Sequence, residues 1–539
     1  MPDPVVTAVA PARRTVVWLL AACLVWAGMS WLANGNLDGY NDMLENYAWS
    51  QPLRWGTHKH PPFFAWVVGL WFELLPQNDL AYRLLSYANV LVGLLGVWAL
   101  GRRLKLGALA PWGALLLLWS LPYTNLAGKF NANGQLLSLW PWAAALLLAS
   151  WQERGLLGVW YSCWLGVVAA ACMLSKYYSG VFLAGFLLPT LLHADGRRWL
   201  ATPRPYLALI AFALALWPHL AWVASHDWAP LGYAMDQGGG ATSWRYIARF
   251  ALAPLFYWLP AWLALCLVWA RVQAQHSGAP WGRTALRLLL RSWLPAGMSD
   301  VLFWLAFMPW AMTLGFGMAG VVELSTPWAI PIGYAFALLW LRNLQRLAPA
   351  AAEATLARLG RAWWPVLALV LAVGVALAVA NALRGDKGYY RPTQDAARAI
   401  LHGWQQRHNG QRLAWVGGDW AENAMLAFYA QPRLLTIPGV PGTEIARLST
   451  MPQDWRAQGN GLLLCPLGPV AAPQAEIQAE TQAEPQVGSD CQRQAQDWLA
   501  AQGLPAQPHV LQVERSGWRF PRPQAWAYAV YDVDAGASR

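Results

Sequence analysis

Residues 363–382, WWPVLALVLAVGVALAVANA, form a run of twenty residues without a charged side chain. An α-helix of that length crosses the ~30 Å hydrocarbon core of a bilayer. Comparable apolar runs recur along the chain and predict about eleven spans. Their approximate positions are 15–33, 80–100, 107–124, 133–150, 156–174, 178–193, 205–224, 249–270, 296–316, 328–341 and 363–382.

The composition of the whole chain also indicates a membrane protein. Of 539 residues, 57% are hydrophobic and 12% are charged, whereas soluble proteins usually carry about 25% charged residues. The apolar runs are continuous rather than alternating, which excludes a β-barrel. We therefore predict a mainly α fold, a polytopic helical membrane bundle. Its first span is expected to be a retained helix, because no clear small-residue cleavage site follows it.

The distribution of Lys and Arg predicts the orientation, because basic residues accumulate in cytoplasmic loops. One set of loops holds Arg13, Arg14, Arg102, Arg103, Lys105, Arg154, Arg197, Arg198, Arg271, Arg283, Arg287, Arg291, Arg342 and Arg346. The opposite set holds fewer, namely Arg54, Lys59, Arg83, Lys129, Lys176, Arg245 and Arg249. The N-terminus is thus expected in the cytoplasm and residues 385–539 in the periplasm, outside an inner membrane. This asymmetry, rather than nucleic-acid binding, accounts for the net charge of +11.

The first outer loop, 34–79, begins NGNLDGYNDMLENYAWSQPLRWGTHKHPPFFAW and is too long for a tight connection. Its 61–75 portion is apolar and rich in Trp but short for a span, so it suits a helix lying in the membrane interface. Charges at outer helix ends are either solvated or mark a polar cavity. Asp42, Lys59, Lys176 and Arg245 are all expected on one side of the membrane, and together they favour a site for an anionic ligand.

Three motifs carry a family resemblance. Asp42 is followed by NYAWSQ, then by Lys59 and His60, then by Pro-Pro and FFAW; MLSKYYSG surrounds Lys176, and TPWAIP begins at Thr326. Over about residues 15–345 this pattern resembles the GT-C superfamily of membrane glycosyltransferases. Within it, the pattern is most similar to glycosyltransferase family 39 and to the aminoarabinose lipid A transferases.

The resemblance implies an inverting transferase that moves a hexosyl or pentosyl group from a polyprenyl-phosphate carrier to an envelope acceptor. The acceptor is expected to be lipid A or another glycolipid, with protein hydroxyls as the alternative. Asp42 would act as general base, and cations would hold the leaving phosphate. The candidates for carrier binding are Lys59, His58, His60, Lys176, Tyr177, Arg245 and Arg249. The candidates for sugar or acceptor contacts are Asn131, Asn133, Trp55 and Glu323.

The chain departs from the family pattern at two places. Where the family often has a second acid, this chain has Met43, and Glu45 lies three residues after Asp42 on the same helical face. Glu45 therefore either shares the base role or is solvated. Asn131 and Asn133 stand where another Asp is common, and an amide cannot act as a base. Either Asp42 acts without a second acid there, or the acceptor is a phosphate that needs no base.

No cofactor is expected from the sequence. It contains neither a P-loop nor a G-x-G-x-x-G motif for a nucleotide. His58 and His60, two residues apart, do not share a helical face that would suit a metal. The predicted partners are the lipid-linked sugar donor, the envelope acceptor and the bilayer.

From about residue 385 the chain becomes polar, and alternating helical and strand-like segments predict a small α/β domain over 385–539, after a membrane domain over 1–384. The stretch PQAEIQAETQAEPQ at 473–486 reads as a solvated insertion. Cys465 and Cys491 are the only cysteines in the α/β domain, and a disulfide between them is expected in an oxidising compartment. A lid or acceptor-docking role is favoured for the domain over an activity of its own.

Two other classes of protein remain open. A transporter or flippase for a lipid-linked sugar also places charges inside a bundle, although such folds usually show two related halves, which this sequence lacks. A non-catalytic assembly or polysaccharide-export protein would use 61–75 and the outer domain as docking surfaces. Replacement of Asp42 separates these classes, because a transferase with a single base should lose turnover while keeping its fold, whereas a transporter could tolerate the change.

Overall fold

The computed structural model describes residues 12–232, 243–384, 391–430, 433–443, 446, 455–470, 485–515 and 525–536. Most of the Gln-Ala-Glu repeat, 473–484, lies outside the described residues. The fold is mainly helical, as predicted, and divides into two compact units. The helical unit comprises Met1–Gly28, Lys59–Phe64 and Leu84–Ala372. The α/β unit comprises Met29–His58, Ala65–Arg83 and Val373–Arg539, so most of the first outer loop belongs to it.

The α-helices are numbered here in chain order. They are α1 (Ala12–Ala33), α2 (Asp42–Trp49), α3 (Phe63–Leu74), α4 (Asp79–Arg103), α5 (Leu109–Leu117), α6 (Ala132–Gln152), α7 (Gly155–Ser175), α8 (Ser179–Ala184), α9 (Leu187–Leu192), α10 (Ala194–Leu200), α11 (Arg204–Ala224), α12 (Trp244–Ser277), α13 (Trp281–Arg291), α14 (Val301–Met318), α15 (Phe336–Leu347), α16 (Ala352–Arg384), α17 (Thr393–Arg407), α18 (Trp420–Tyr429) and α19 (Pro485–Ala501).

Seven helices in the described part of the chain are long and apolar enough to cross a membrane, namely α1, α4, α7, α11, α12, α14 and α16. Each overlaps one of the predicted spans, and the chain is an integral membrane protein. The other four predicted spans fall on α5, on α6, on the short pair α8 and α9, and on α15 with the 3-10 turns before it. The total of eleven spans remains a prediction.

Glycines allow the helices of the helical unit to approach closely. A Cβ atom on Gly93 of α4 would lie 2.2 Å from the Leu137 carbonyl oxygen of α6, and one on Gly166 of α7 would lie 2.1 Å from that of Ala208 of α11. Small residues are common at membrane helix interfaces, because association there depends on packing and hydrogen bonds rather than on water exclusion. The Asn89 amide also donates to the Gly134 carbonyl at 2.7 Å, which joins α4 to the first turn of α6.

The α/β unit contains a five-stranded mixed sheet. Its strands are β1 (Trp415–Gly418), β2 (Leu435–Thr436), β3 (Gly461–Pro469), β4 (His509–Glu514) and β5 (Ala525–Val533), in the order β2-β1-β3-β5-β4. β1 pairs in parallel with β2 and β3, whereas β5 pairs antiparallel with β3 and β4. Buried side chains of β1, β3 and β5 pack with α19 to form the core of this unit.

Cys465 of β3 and Cys491 of α19 are joined by a disulfide, with their Cα atoms 5.7 Å apart. Closing a loop over a sequence separation of 26 contributes roughly 3 kcal/mol in the chain-entropy view. In protein matured in the periplasm, we expect non-reducing peptide mapping to recover the Cys465 and Cys491 peptides as one linked species. Recovery of both as free thiols would contradict the expected compartment.

Candidate active site

The helical unit contains a cavity of about 880 Å³, a size typical of small-molecule sites. Polar, charged and aromatic side chains share its wall. The lining residues are Lys59, His60, Pro61, Lys176, Tyr177, Tyr178, Val181, Tyr246, Phe316, Val321, Val322, Glu323, Leu324, Ser325, Thr326, Pro327 and Trp328. The cavity thus combines two lysines with one carboxylate and several rings, a composition that suits an anion attached to a sugar.

Lys176 is fixed at the end of α7. The helix stops at Ser175, and the backbone of Lys176 is extended, with φ −160° and ψ 129°. Its ammonium group donates to Asn133 Oδ1 at 2.7 Å and lies 5.6 Å from the centre of the Trp328 ring. The nearby Asn131 caps α6, because its side-chain oxygen accepts from the backbone N–H groups of Asn133 and Gly134 at 3.0 Å each. Asn131 and Asn133 therefore have structural roles around Lys176.

An aromatic wall stands beside the lysine. The Tyr178 ring centre lies 5.3 Å from that of Trp328, and the Tyr178 hydroxyl is 2.9 Å from Thr313 Oγ1. The Trp140 ring centre also lies 5.8 Å from that of Tyr178. Locked rings of this kind offer flat surfaces on which a sugar can stack at little entropic cost.

Tyr177 also lines the cavity, and its hydroxyl lies 2.8 Å from Nε2 of His219. The His219 side chain is fully buried in α11. The phenol of Tyr177 is protonated at neutral pH and can donate a hydrogen bond, and burial raises its pKa further. Tyr177 is thus an oriented neutral polar group beside the lysines.

Six of the seven predicted carrier-binding residues lie in the helical unit, and they divide into two groups; the seventh, His58, belongs to the α/β unit. Lys59, His60, Lys176 and Tyr177 meet on the cavity wall, together with the predicted acceptor contact Glu323. Arg245 and Arg249, at the start of α12, are exposed and are not among the lining residues.

In the α/β unit, Asp42 is the first residue of α2. The buried carboxylate of Asp38 accepts from the backbone N–H groups of Tyr40, Asp42 and Met43 at 2.9, 3.1 and 2.9 Å. The bonds from Asp42 and Met43 satisfy donors in the first turn of α2 that would otherwise lack partners. The Asp42 side chain is half-buried, and its charge is favourably placed at the positive end of the helix dipole.

Three other predicted site residues also belong to the α/β unit. Glu45 is buried, at 8% exposure, which disagrees with the solvated reading of this residue. The His58 ring centre lies 5.9 Å from that of Trp49 and 5.7 Å from that of Trp420. Trp55 is 48% exposed, with its ring edge-on to Trp66 at 5.1 Å.

Sequence reasoning missed Asp38, Tyr178 and Trp328 as site residues. Asp38 had only a weak local signal, because it lies four residues before α2, whereas the usual capping position directly before the helix is Asn41. Tyr178 and Trp328 lie inside the motifs MLSKYYSG and TPWAIP, but nothing in the sequence shows that their rings are in contact. Within the described ranges, no group of three or more His, Cys, Asp or Glu residues could hold a metal ion.

The chain combines a bundle of membrane-length helices with an α/β unit. This combination defines the class of membrane protein with which its fold can be compared. The chain is similar to ArnT from Cupriavidus metallidurans bound to undecaprenyl phosphate, with 14% identity, a TM-score of 0.54 and coverage of 96% of this chain and 98% of that chain. It is equally similar to the apo state of that protein, with 15% identity, a TM-score of 0.53 and coverage of 97% and 98%. The fold is therefore of the GT-C type.

The sequence comparisons agree with this fold. Residues 59–222 match the family described as dolichyl-phosphate-mannose-protein mannosyltransferase. A comparison with curated proteins gives no match. The resemblance to the GT-C superfamily that the first outer loop suggested is confirmed.

Proposed function

We propose that this chain is an inverting glycosyltransferase of the inner membrane. It moves a sugar from a polyprenyl-phosphate carrier to an envelope glycolipid, with lipid A as the first choice. The observation that carries the proposal is the cavity in which Lys59 and Lys176 face aromatic side chains. ArnT from Cupriavidus metallidurans, which has a similar fold, binds undecaprenyl phosphate, and a carrier of this kind suits a site lined by two cations.

The proposed reaction divides the work between one carboxylate and two lysines. Asp42 removes the proton from an acceptor hydroxyl as that oxygen attacks the anomeric carbon. The bond from this carbon to the phosphate oxygen breaks, and the electron pair leaves with the polyprenyl phosphate. Lys59 and Lys176 hold the negative charge that grows on the phosphate, and charge-assisted bonds are about twice as strong as neutral ones.

The apolar part of the cavity wall supports a lipid-linked donor. Tyr246, Phe316 and Val321 line the cavity and are 39%, 41% and 68% exposed. Exposed apolar side chains in a membrane-spanning unit are compatible with contact to hydrocarbon. They would accommodate the first prenyl units while the lysines hold the phosphate.

The direct test uses the purified full-length chain in lipid nanodiscs. Undecaprenyl-phosphate-linked pentose or hexose is supplied with lipid A in one arm and with a Ser/Thr peptide in the other. Transfer to lipid A supports the proposal, and transfer to the peptide supports the protein O-glycosyltransferase alternative. If no donor is consumed in either arm, and the intact lipid-linked sugar crosses the bilayer of sealed proteoliposomes that contain the chain, the flippase alternative is correct.

The proposed topology places residues 385–539 in the periplasm and the end of α12 in the cytoplasm. Ser277 and Val510 are both exposed, so each accepts a cysteine without disturbing the core. We expect a membrane-impermeant thiol reagent added from the periplasm to label Val510→Cys and to spare Ser277→Cys. The reverse labelling pattern would overturn the orientation, and the wild-type chain gives the background from its own thiols.

A further inference from the structure

Helix α2, which begins with Asp42, is only eight residues long. Isolated helices shorter than about 12 residues are marginal in water, so α2 depends on what packs against it. Every residue from Met43 to Trp49 is buried. The position of Asp42 is therefore set by tertiary contacts rather than by the helix alone.

Those contacts come largely from α18, in the C-terminal part of the same α/β unit. The ring centre of Phe428 lies 5.2 Å from that of Tyr47 on α2 and 5.3 Å from that of Phe72 on α3. It also lies 5.6 Å from that of Tyr82, whose hydroxyl donates to the Met43 carbonyl at 2.6 Å. Phe428 is 2% exposed, so one buried ring contacts side chains of α2, α3 and α4.

The last residue of α2, Trp49, contacts the first residue of α18, Trp420. The Trp420 ring stacks on Trp49 with centres 6.0 Å apart and an interplanar angle of 24°. His58 sits edge-on to both rings, at 5.7 Å from Trp420 and 5.9 Å from Trp49. Aromatic pairs at such distances add stability beyond simple burial.

Polar bonds tie the same two parts of the unit together. The Tyr429 hydroxyl donates to Asp79 Oδ1 at 2.6 Å, and Arg433 pairs with Glu73 at 2.8 Å. Arg515 donates to Asn36 Oδ1 at 2.8 Å, next to the Asp38 cap of α2. The loop that carries Asp42 is thus held at several points by residues more than 300 positions later in the chain.

We propose that the C-terminal part of the chain positions the catalytic loop. Phe428 and Trp420 of α18 act as positioning residues that hold α2, and with it Asp42, in the orientation that the reaction needs. This inference rests on the proposed function of Asp42. It assigns α18 a part in turnover that neither a mobile lid nor a separate acceptor-docking module would have.

The test compares Phe428→Ala with the conservative Phe428→Leu in the full-length chain. Val510→Ala is the matched control, because Val510 is an exposed residue of β4 in the same α/β unit. Three quantities are measured for each variant. They are hydrogen exchange of the α2 amides, binding of undecaprenyl phosphate, and transfer activity. We expect Phe428→Ala to raise the hydrogen-exchange rate of α2 by at least about tenfold. We also expect it to lower kcat by at least about tenfold. Undecaprenyl phosphate affinity and exchange in α7 should stay unchanged, Phe428→Leu should restore most of the activity, and Val510→Ala should behave as wild type.

Three results would overturn the inference. The first is unchanged α2 exchange in Phe428→Ala, and the second is faster α2 exchange with full activity. The third is faster exchange in both α2 and α7, because this would mean that the whole chain unfolds more readily. The proposed function fails separately, if the wild-type chain transfers no sugar while the exchange pattern is as expected.

Discussion

Replacing Asp42 by Asn is expected to lower transfer to a hydroxyl acceptor by about 100-fold or more. The amide keeps the size of the side chain but cannot accept the proton of the acceptor. Binding of undecaprenyl phosphate should stay within experimental error of wild type, because the substitution does not remove a cation. The measurement is initial-rate transfer by purified protein, with binding measured on the same preparation.

Glu45 provides the sharpest control for this result. If Asp42→Asn keeps most of its activity, the double variant Asp42→Asn, Glu45→Gln decides why. Loss of activity only in the double variant assigns the base role to the pair. Retained activity in the double variant contradicts base catalysis and favours an acceptor phosphate, which is already ionised at neutral pH.

Neutralising the cavity lysines is expected to weaken carrier binding. Lys59→Met and Lys176→Met each remove one charge with little loss of volume. A hydrogen bond to a charged group contributes about 1.5–3 kcal/mol, so undecaprenyl phosphate affinity should fall about 10- to 100-fold. Turnover should fall further, because the phosphate charge grows as the sugar leaves.

Arg245→Met is the matched control for both lysine variants, because it removes a cation that is exposed and does not line the cavity. Its affinity for undecaprenyl phosphate should stay within about twofold of wild type. Equal losses in all three variants would mean that general electrostatic attraction, rather than the cavity, binds the carrier.

Much of the helical unit could be predicted from sequence. A long uncharged run in a bilayer must pair its backbone polar groups internally, and a helix does so. The shorter apolar segments were harder. The predicted span 178–193 is two helices that meet near Gly185, and 328–341 begins with 3-10 turns at Pro327 and Pro331. Apolar composition reports burial, but it does not report where a helix breaks.

Long-range packing could not be predicted from the sequence. Local patterns after residue 385 predicted an α/β domain, but they did not predict the order of its strands, in which β5 pairs with the central strand β3. Nor does any local signal show that Phe428 contacts Tyr47, almost 400 residues away in the chain. The first outer loop was predicted to be part of the membrane domain, whereas most of its residues belong to the α/β unit.

The most direct test of the proposed function is mass spectrometry of lipid A and envelope glycans from a strain that lacks this protein. The account predicts that one sugar-bearing species disappears, returns with the wild-type chain and fails to return with Asp42→Asn at equal expression. Glycans that are identical with and without the protein would contradict it.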